Sequence, residues 1–212
     1  MDLLERAGDR RTIESYARYG IVARKPLGVP MNRIQALAKK LGTDHALATA
    51  LFKTGVYEAQ LLCAFVADPS QLTRAQMDAW TRGFDNWGVC DTLCFKLYDR
   101  SPHAWSRIAP WAAKQDEFVR RSAFALLASL ALHDKAARDA AFVKALPLCE
   151  KAATDDRNFV KKGVSWALRS IGRRNASLRA RTVTLATRLA ASDDPTARWI
   201  GKDTLKDLAR KR

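Results

Sequence analysis

Apolar residues recur along most of this chain at the three- and four-residue spacing of amphipathic α-helices, separated by short polar connections. The alternating apolar and polar runs and the Asn-Gly turns of β-hairpins are missing from the sequence. Met31–Leu41 follows Pro30, which suits a helix start, and precedes Gly42, which suits a helix end. The same reasoning predicts further helices at about 44–54, 56–67, 70–80, 86–99, 102–114, 116–132, 135–153, 156–173, 176–191 and 194–210.

These predicted helices form pairs with short connections, and the pairs recur at roughly the 35–45-residue spacing of HEAT-like or armadillo-like arrays. We therefore expect an all-α fold, a HEAT-like helical-repeat solenoid that makes a single domain over residues 1–212. In such an array the second helix of each pair lines a concave face, so residues far apart in sequence share one groove. An irregular helical bundle is the alternative, because no repeated consensus is visible.

The charge of the chain is strongly positive and unevenly distributed. Lys and Arg number 37 against 22 Asp and Glu, a net charge of +15. Residues 1–106 carry a net +3 and residues 107–212 a net +12, so the expected concave face is basic mainly in the second half. Such a field attracts polyanions, of which nucleic acid is the most abundant in a cell. Anionic membranes and acidic proteins are the alternative partners.

Several classes of protein find no support in the sequence. No apolar run reaches the length of a membrane span, and the N-terminus lacks the basic and apolar segments of a secretory signal, so we expect a cytoplasmic protein that does not bind membranes. The four cysteines include no Cys-x-x-Cys pair. Cys90 and Cys94 lie four residues apart, but buried thiols are expected there rather than a metal site. No nucleotide, serine hydrolase or zinc protease motif is present, and no coiled-coil seam is visible, so a monomer without cofactor is expected.

Cationic residues recur at helical spacing in two predicted helices. In 156–173 the positions i, i+4, i+7 and i+11 share one face and are occupied by Lys162, Trp166, Arg169 and Arg173. In the last helix, steps of four residues connect Arg198, Lys202, Lys206 and Arg210. Both faces suit a phosphate backbone, and Trp166 suits its sugars. The alternative is two solvated faces, with Trp166 in the core.

A carboxylate beside an indole is the most chemically suggestive pair. Trp87 and Asp91 lie at i and i+4 of a predicted helix and therefore on one face. A carboxylate in such a place can orient a water molecule, act as a base or stabilise a cation. The alternative is that Asp91 pairs with a structural arginine and Trp87 is core. Arg120 and Arg121 are adjacent and point in different directions, so at most one of them is expected to face a groove.

Three segments occur in an order and at a spacing similar to the AlkD-like DNA alkylation repair family. They are 86–91 (Asn-Trp-Gly-Val-Cys-Asp), 119–123 (Val-Arg-Arg-Ser-Ala) and 161–169 (Lys-Lys-Gly-Val-Ser-Trp-Ala-Leu-Arg). An earlier stretch, Ala17-Arg18-Tyr19 followed by 26–29 (Pro-Leu-Gly-Val), also resembles the family. The resemblance spans roughly residues 15–175 and implies HEAT-like repeats forming a basic cradle around duplex DNA.

The resemblance also implies an activity and a set of site residues. It implies a monofunctional glycosylase that excises positively charged alkylated purines, N3-methyladenine and N7-methylguanine, without flipping the damaged nucleotide into a pocket. It places a catalytic aspartate at Asp91, sugar-contacting tryptophans at Trp87 and Trp166, and a cleft arginine at Arg121. Tyr19 and Arg169 match further family positions.

Two alternatives to the enzyme stay open at the level of sequence. Some relatives of this superfamily keep the scaffold and bind DNA, in branched or distorted forms, without excising bases. A protein that uses the same cradle to bind an acidic protein partner is a third class. The presence of Asp91, Trp87, Arg121 and Trp166 favours the enzyme.

Overall fold

A computed structural model describes residues 1–210, and this part of the chain is entirely helical and irregular, with no strand. The all-α prediction is therefore confirmed. The helices are α1 (Asp2–Glu5), α2 (Arg10–Tyr16), α3 (Met31–Leu41), α4 (His45–Lys53), α5 (Tyr57–Val66), α6 (Arg74–Arg82), α7 (Trp87–Lys96), α8 (Ala104–Ala112), α9 (Glu117–His133), α10 (Asp139–Lys151), α11 (Asn158–Gly172), α12 (Ala176–Ala190) and α13 (Pro195–Ala209). Short 3-10 turns occupy Ala17–Tyr19 and Tyr98–Arg100.

Side-chain caps fix the starts of many of these helices. Asp44, for example, begins α4, and its carboxylate accepts a hydrogen bond of 2.8 Å from the Leu47 amide. The equivalent interaction begins other helices at Thr73, Asn86, Asp116, Asn175 and Asp194. Each cap satisfies amide groups that the first helical turn leaves without a partner. Polar residues between apolar segments therefore define the helix boundaries.

The chain divides into two compact units, Met1–His103 and Ala104–Arg212. In the N-terminal unit, α3, α4 and α7 pack against α5. Every residue of α5 except Phe65 is buried. The expectation of one domain over residues 1–212 stays a prediction.

A buried carboxylate attaches the irregular N-terminal segment to α5. Glu58 is fully buried and accepts hydrogen bonds from the Tyr16 hydroxyl at 2.7 Å and from the Gly28 amide at 2.6 Å. The amides of Leu27 and Val29 donate to the same carboxylate at 2.8 and 3.3 Å. A buried charge is tolerated only when it is well satisfied by hydrogen bonds, and four donors meet that requirement. Burial, together with the Glu58 carboxylate, raises the pKa of the Tyr16 hydroxyl far above its usual value.

Three helical hairpins, α8–α9, α10–α11 and α12–α13, build the C-terminal unit. Their second helices, α9, α11 and α13, pack side by side in one layer, and the first helices, α8, α10 and α12, form the other layer. This is the arrangement of a HEAT-like repeat, as predicted from the spacing of the helix pairs. Gly201 permits a close crossing of α13 over α12, since a Cβ atom there would lie 2.3 Å from the backbone nitrogen of Ala190.

Two general properties of the described residues bear on function. None of the helices within residues 1–210 combines the length and apolar character that crossing a membrane requires. All four cysteines are buried free thiols, and burial raises the pKa of the Cys149 thiol to about 12. Thiols held protonated in this way are poor nucleophiles and poor metal ligands.

Candidate nucleic-acid interface

Helix α7 presents Trp87 and Asp91 on a face that stays partly accessible. Five other residues of α7 are fully buried, namely Gly88, Val89, Cys90, Leu93 and Cys94. Trp87 and Asp91 are half-buried and lie one helical turn apart. The carbonyl-bearing side chain of Asn86 begins the helix by accepting a hydrogen bond of 3.0 Å from the Val89 amide. The cap thus places the indole at the first helical position and the carboxylate one turn later.

The Trp87 indole is held in place by the N-terminal segment. Its Nε1 donates a hydrogen bond of 3.0 Å to the carbonyl oxygen of Tyr19. Tyr19 ends a 3-10 turn, and Gly20 follows in the left-handed region with φ of 66°, where glycine is favoured. The Tyr19 side chain itself is 61% exposed. Tyr19 and Trp87 are thus in contact, and Asp91 lies one helical turn after Trp87 in the same unit; we call these three residues the α7 cluster.

Gly88 sets the distance between α7 and α5. A Cβ atom at this position would lie 2.5 Å from the Tyr57 hydroxyl oxygen. The absence of a side chain therefore lets α7 approach α5 closely enough for Tyr57 to pack under it. Burial and the nearby Glu58 carboxylate raise the pKa of the Tyr57 hydroxyl well above its usual value, so this group stays neutral.

Two neighbouring grooves lie on the α9, α11 and α13 layer of the C-terminal unit. The first, which we call the aromatic groove, has a volume of about 370 Å³ and is lined by Arg121, Lys162, Trp166, Arg169, Trp199 and Asp203. The second, the basic groove, has a volume of about 510 Å³ and is lined mainly by Lys135, Trp166, Arg169, Ser170, Arg173, Arg174, Asn175 and Asp207. Trp166 and Arg169 line both grooves. Four predicted residues, Arg121, Lys162, Trp166 and Arg169, therefore meet in one groove, and Arg173 lies in the next.

Arg120 and Arg121 point in different directions. Arg120 binds Asp155 at 2.7 Å, and hydrogen bonds from Arg157 and, to a smaller extent, from Arg120 lower the pKa of the Asp155 carboxyl to about 2. Arg121 is 6% exposed, donates a hydrogen bond of 2.6 Å to the Phe159 carbonyl and lies over the Phe159 ring. The Arg121 side chain is thus a rigidly held cation in the wall of the aromatic groove.

Acidic residues of α13 interrupt the cationic face predicted for α11. Arg169 lies 3.7 Å from Asp203 and 3.8 Å from Asp207, and Arg173 binds Asp207 at 2.7 Å. Asp203 also accepts a hydrogen bond of 2.6 Å from the buried Ser165 hydroxyl. The residue spacing within α11 shows which of its residues share a face, but it does not show which residues of α13 pack against that face. Two of the four predicted members of this face are therefore paired with carboxylates.

The basic residues of α13 lie beside the grooves rather than in them. Arg198 donates to the carbonyl of Ser192 at 2.7 Å and thereby holds the turn before α13. Lys202 and Lys206 are exposed to solvent. The groove-lining residues of this helix are Trp199, Asp203 and Asp207, each one position after a member of the predicted basic series. Arg210 ends the described part of the chain, and the rest of the basic tail, Lys211 and Arg212, lies outside it.

Sequence reasoning missed Trp199 as a groove residue. Its side chain is 39% exposed, and the Lys161 ammonium lies 5.0 Å from the centre of its ring. The signal that could have revealed it is the four-residue series of Trp199, Asp203 and Asp207, parallel to the basic series on the same helix. Within residues 1–210, no group of three or more His, Cys, Asp or Glu side chains could hold a metal ion.

A solved structure matches nearly the whole chain. It is a protein described as a member of a new family related to the HEAT-like repeat DNA glycosylases, with affinity for branched DNA structures. The match has a TM-score of 0.77 and 21% identity, and it covers 99% of this chain and 94% of that one. At this identity the likeness shows a common fold.

Other comparisons are weaker or negative. An engineered protein matches with a TM-score of 0.40 and 12% identity over 84% of this chain and 91% of its own. A designed armadillo repeat protein in complex with a (KR)4 peptide has a TM-score of 0.38 and 14% identity, over 84% of this chain and 68% of its own. No curated protein matches this sequence significantly.

The family assignment follows from the sequence match that spans most of the chain. The model of the family described as DNA alkylation repair enzyme matches residues 1–201, which include the α7 cluster and every side chain named in the aromatic groove except Asp203. The resemblance stated from the sequence is confirmed, and this chain belongs to the DNA alkylation repair enzyme family.

Proposed function

We propose that this protein is a monofunctional DNA glycosylase that releases N3-methyladenine and N7-methylguanine from duplex DNA in base-excision repair. The observation that supports the proposal most directly is the α7 cluster, in which a half-buried carboxylate lies one turn from an anchored indole. This arrangement suits a group that acts on a bound sugar.

The proposed reaction breaks the bond between C1′ of the deoxyribose and a purine nitrogen. The bonding electrons leave with the base and cancel its positive charge, so the base is a good leaving group without a general acid. The sugar becomes oxocarbenium-like, and the Asp91 carboxylate stabilises that charge and orients the attacking water, as carboxylates do in sugar hydrolysis. Water adds to C1′, and its proton passes to Asp91 or to solvent.

A tryptophan on the same helix completes the proposed environment of the sugar. The electron-rich face of Trp87 would attract the positive charge that develops on the deoxyribose. A sugar contact at Trp166 is what the family resemblance implies. The departing base needs no protein contacts at its edges, because it is already a good leaving group. The damaged nucleotide therefore need not be flipped into a pocket. No metal ion or cofactor is required by this chemistry. We infer a cytoplasmic monomer as the acting species.

Phosphate contacts are assigned in this proposal to the C-terminal unit. Residues 107–212 carry most of the positive charge, and Lys162, Lys202 and Lys206 are exposed lysines on α11 and α13. Lysine and arginine contacts with phosphate position a protein on DNA without reading its sequence. Arg121, Arg169 and Arg173 supply further cations, and Tyr19 supplies an exposed ring beside Trp87.

Asp207→Asn is expected to raise DNA affinity several-fold at low salt. The substitution keeps the shape of the side chain but removes the charge that pairs with Arg173 at 2.7 Å and with Arg169 at 3.8 Å. Released from this pairing, the arginines can contact phosphates, and the plot of log affinity against log salt should steepen by about one counterion. Fluorescence anisotropy over a salt series measures both quantities.

The matched control for this variant is Glu150→Gln, which also removes one negative charge from an ion pair of the C-terminal unit. Glu150 binds Arg188 at 2.7 Å between α10 and α12, in the other helix layer. An equal gain in affinity for Glu150→Gln would mean that net charge alone sets the DNA affinity. It would contradict the prediction that Asp207 acts through its pairing with Arg169 and Arg173.

The experiment that tests the proposed function measures base release by the wild-type protein. A duplex containing N7-methylguanine is incubated with and without protein, and free base is separated and quantified. The reaction without protein corrects for spontaneous depurination. We expect release that is proportional to protein concentration and complete over many turnovers. Tight DNA binding with no release above background would reject the enzyme.

The second candidate is a non-catalytic protein that binds branched or distorted DNA. It is favoured by the similarity of fold to the solved relative with affinity for branched DNA structures. Competition of a four-way junction against the fully paired duplex of the same sequences distinguishes it. A strong preference for the junction together with no base release would support this candidate.

A further inference from the structure

We propose that the aromatic groove is a site for an unpaired nucleobase, which stacks on Trp199. The inference rests on the proposed DNA binding of the C-terminal unit and adds a class of DNA to it, namely strands with unpaired bases at a bulge, gap or branch point. Trp199 belongs to none of the segments that carried the family resemblance, and no contact with the reacting sugar is assigned to it.

Trp199 is exposed, although the helix that carries it packs against α11 and α12. The buried positions of α13 are Thr196, Ala197, Ile200, Gly201, Thr204 and Leu208, and they account for the packing of this helix. Trp199 lies outside that set and keeps 39% of its surface exposed. A large aromatic ring beside a cleft offers stacking area at a small entropic cost, because its side chain has only two rotatable bonds. Its position is therefore suited to a ligand rather than to the core.

The Trp199 ring is already oriented by a contact with α11. The Lys161 ammonium lies 5.0 Å from the centre of the Trp199 ring, in the range of a cation–π interaction. Lys161 is half-buried on α11, so this contact ties the indole to the neighbouring helix. Preorganisation of this kind lowers the cost of binding a planar ligand.

Groups of opposite charge line the aromatic groove. A surface that only follows phosphates needs cations, and a carboxylate there would repel the backbone. The aromatic groove instead combines the cation Lys162 with the carboxylate of Asp203, which the Ser165 hydroxyl holds at 2.6 Å. A nucleotide matches both groups, because its phosphate binds cations and its exocyclic amine donates to a carboxylate. The volume of about 370 Å³ is also within the usual range for small-ligand sites.

Only some DNA structures offer a base with an accessible face. In a paired duplex the faces of each base are covered by its neighbours, so an aromatic side chain cannot stack on them without disrupting the helix. Bases at bulges, gaps and branch points have accessible faces, and aromatic side chains commonly bind them by stacking. The groove therefore favours DNA that contains at least one unpaired base.

The test compares two DNAs that differ in one feature. One is a fully paired duplex, and the other carries a single unpaired 2-aminopurine, whose fluorescence falls when it stacks. We expect the wild-type protein to bind the bulged DNA more tightly and to quench its fluorescence. Trp199→Ala should lose about ten-fold in affinity for the bulged DNA and most of the quenching, with little change for the paired duplex. Trp199→Phe should retain part of both.

Leu41→Ala is the matched control, since Leu41 on α3 is 39% exposed, as Trp199 is, and lines neither groove. It removes exposed apolar surface away from the grooves and should leave the preference unchanged. Equal losses on both DNAs for Trp199→Ala, or no loss on either, would overturn the inference. Base release by the wild-type protein is measured separately. A preference that depends on Trp199 without any release would overturn the enzyme and support the stacking site.

Discussion

Asp91→Asn is expected to lower the rate of N7-methylguanine release by about 100-fold or more, while DNA affinity stays nearly constant. Asparagine has almost the same shape as aspartate, so the start of α7 and the hydrogen bond from Trp87 to the Tyr19 carbonyl should persist. What disappears is the negative charge proposed to face the oxocarbenium-like sugar. Single-turnover release and anisotropy on the same duplex measure the two quantities.

Asp68→Asn provides the control for this substitution. Asp68 lies in the loop after α5, in the same unit, and its carboxylate bonds to Ser70 and Gln71, which lowers its pKa. This variant makes the same change of charge away from the α7 cluster and should release base at the wild-type rate. Equal release by Asp91→Asn and the wild type would remove Asp91 from the mechanism, whichever DNA the protein prefers.

The helices after residue 30 could be predicted because their boundaries are local. Pro30 and Gly42 mark the limits of α3, which spans Met31–Leu41 as expected. The N-terminal segment could not be predicted in the same way. Its helices are short, with four residues in α1 and seven in α2, and its attachment depends on Glu58, thirty residues and more away in sequence. No periodic pattern encodes a hydrogen-bonded connection of that kind.

In the candidate site, too, some features follow from local sequence and others depend on tertiary packing. The shared face of Trp87 and Asp91 follows from helical spacing alone, and the structure leaves both residues partly accessible. The pairing of Arg169 and Arg173 with carboxylates of α13 required knowledge of how α11 and α13 pack. Trp199 was missed for the same reason, since its exposure depends on which face of α13 the neighbouring helices cover. Periodicity identifies faces, and tertiary packing decides what each face meets.

Glu58→Ala is expected to destabilise the attachment of the N-terminal segment by about 3–5 kcal/mol, because several donors lose a charged acceptor in a buried place. The amides of Leu27 and Gly28 and the Tyr16 hydroxyl all donate to this carboxylate. Hydrogen exchange should therefore accelerate at these amides. The Tyr19 carbonyl belongs to the same segment, so Trp87 should also lose its anchor and base release should fall.

Two variants separate this effect from a general loss of charge. Glu58→Gln keeps one acceptor oxygen and should destabilise the segment less than alanine does. Glu14→Ala removes an exposed carboxylate that pairs with Arg10 on α2. Because such surface ion pairs contribute little to stability, the hydrogen exchange and the melting temperature of this variant should match those of the wild type. If Glu58→Ala left exchange at Leu27 and Gly28 unchanged, the carboxylate would not be what holds this segment on α5. In that case the position of Trp87 would depend on the capping of α7 by Asn86 and not on the N-terminal segment.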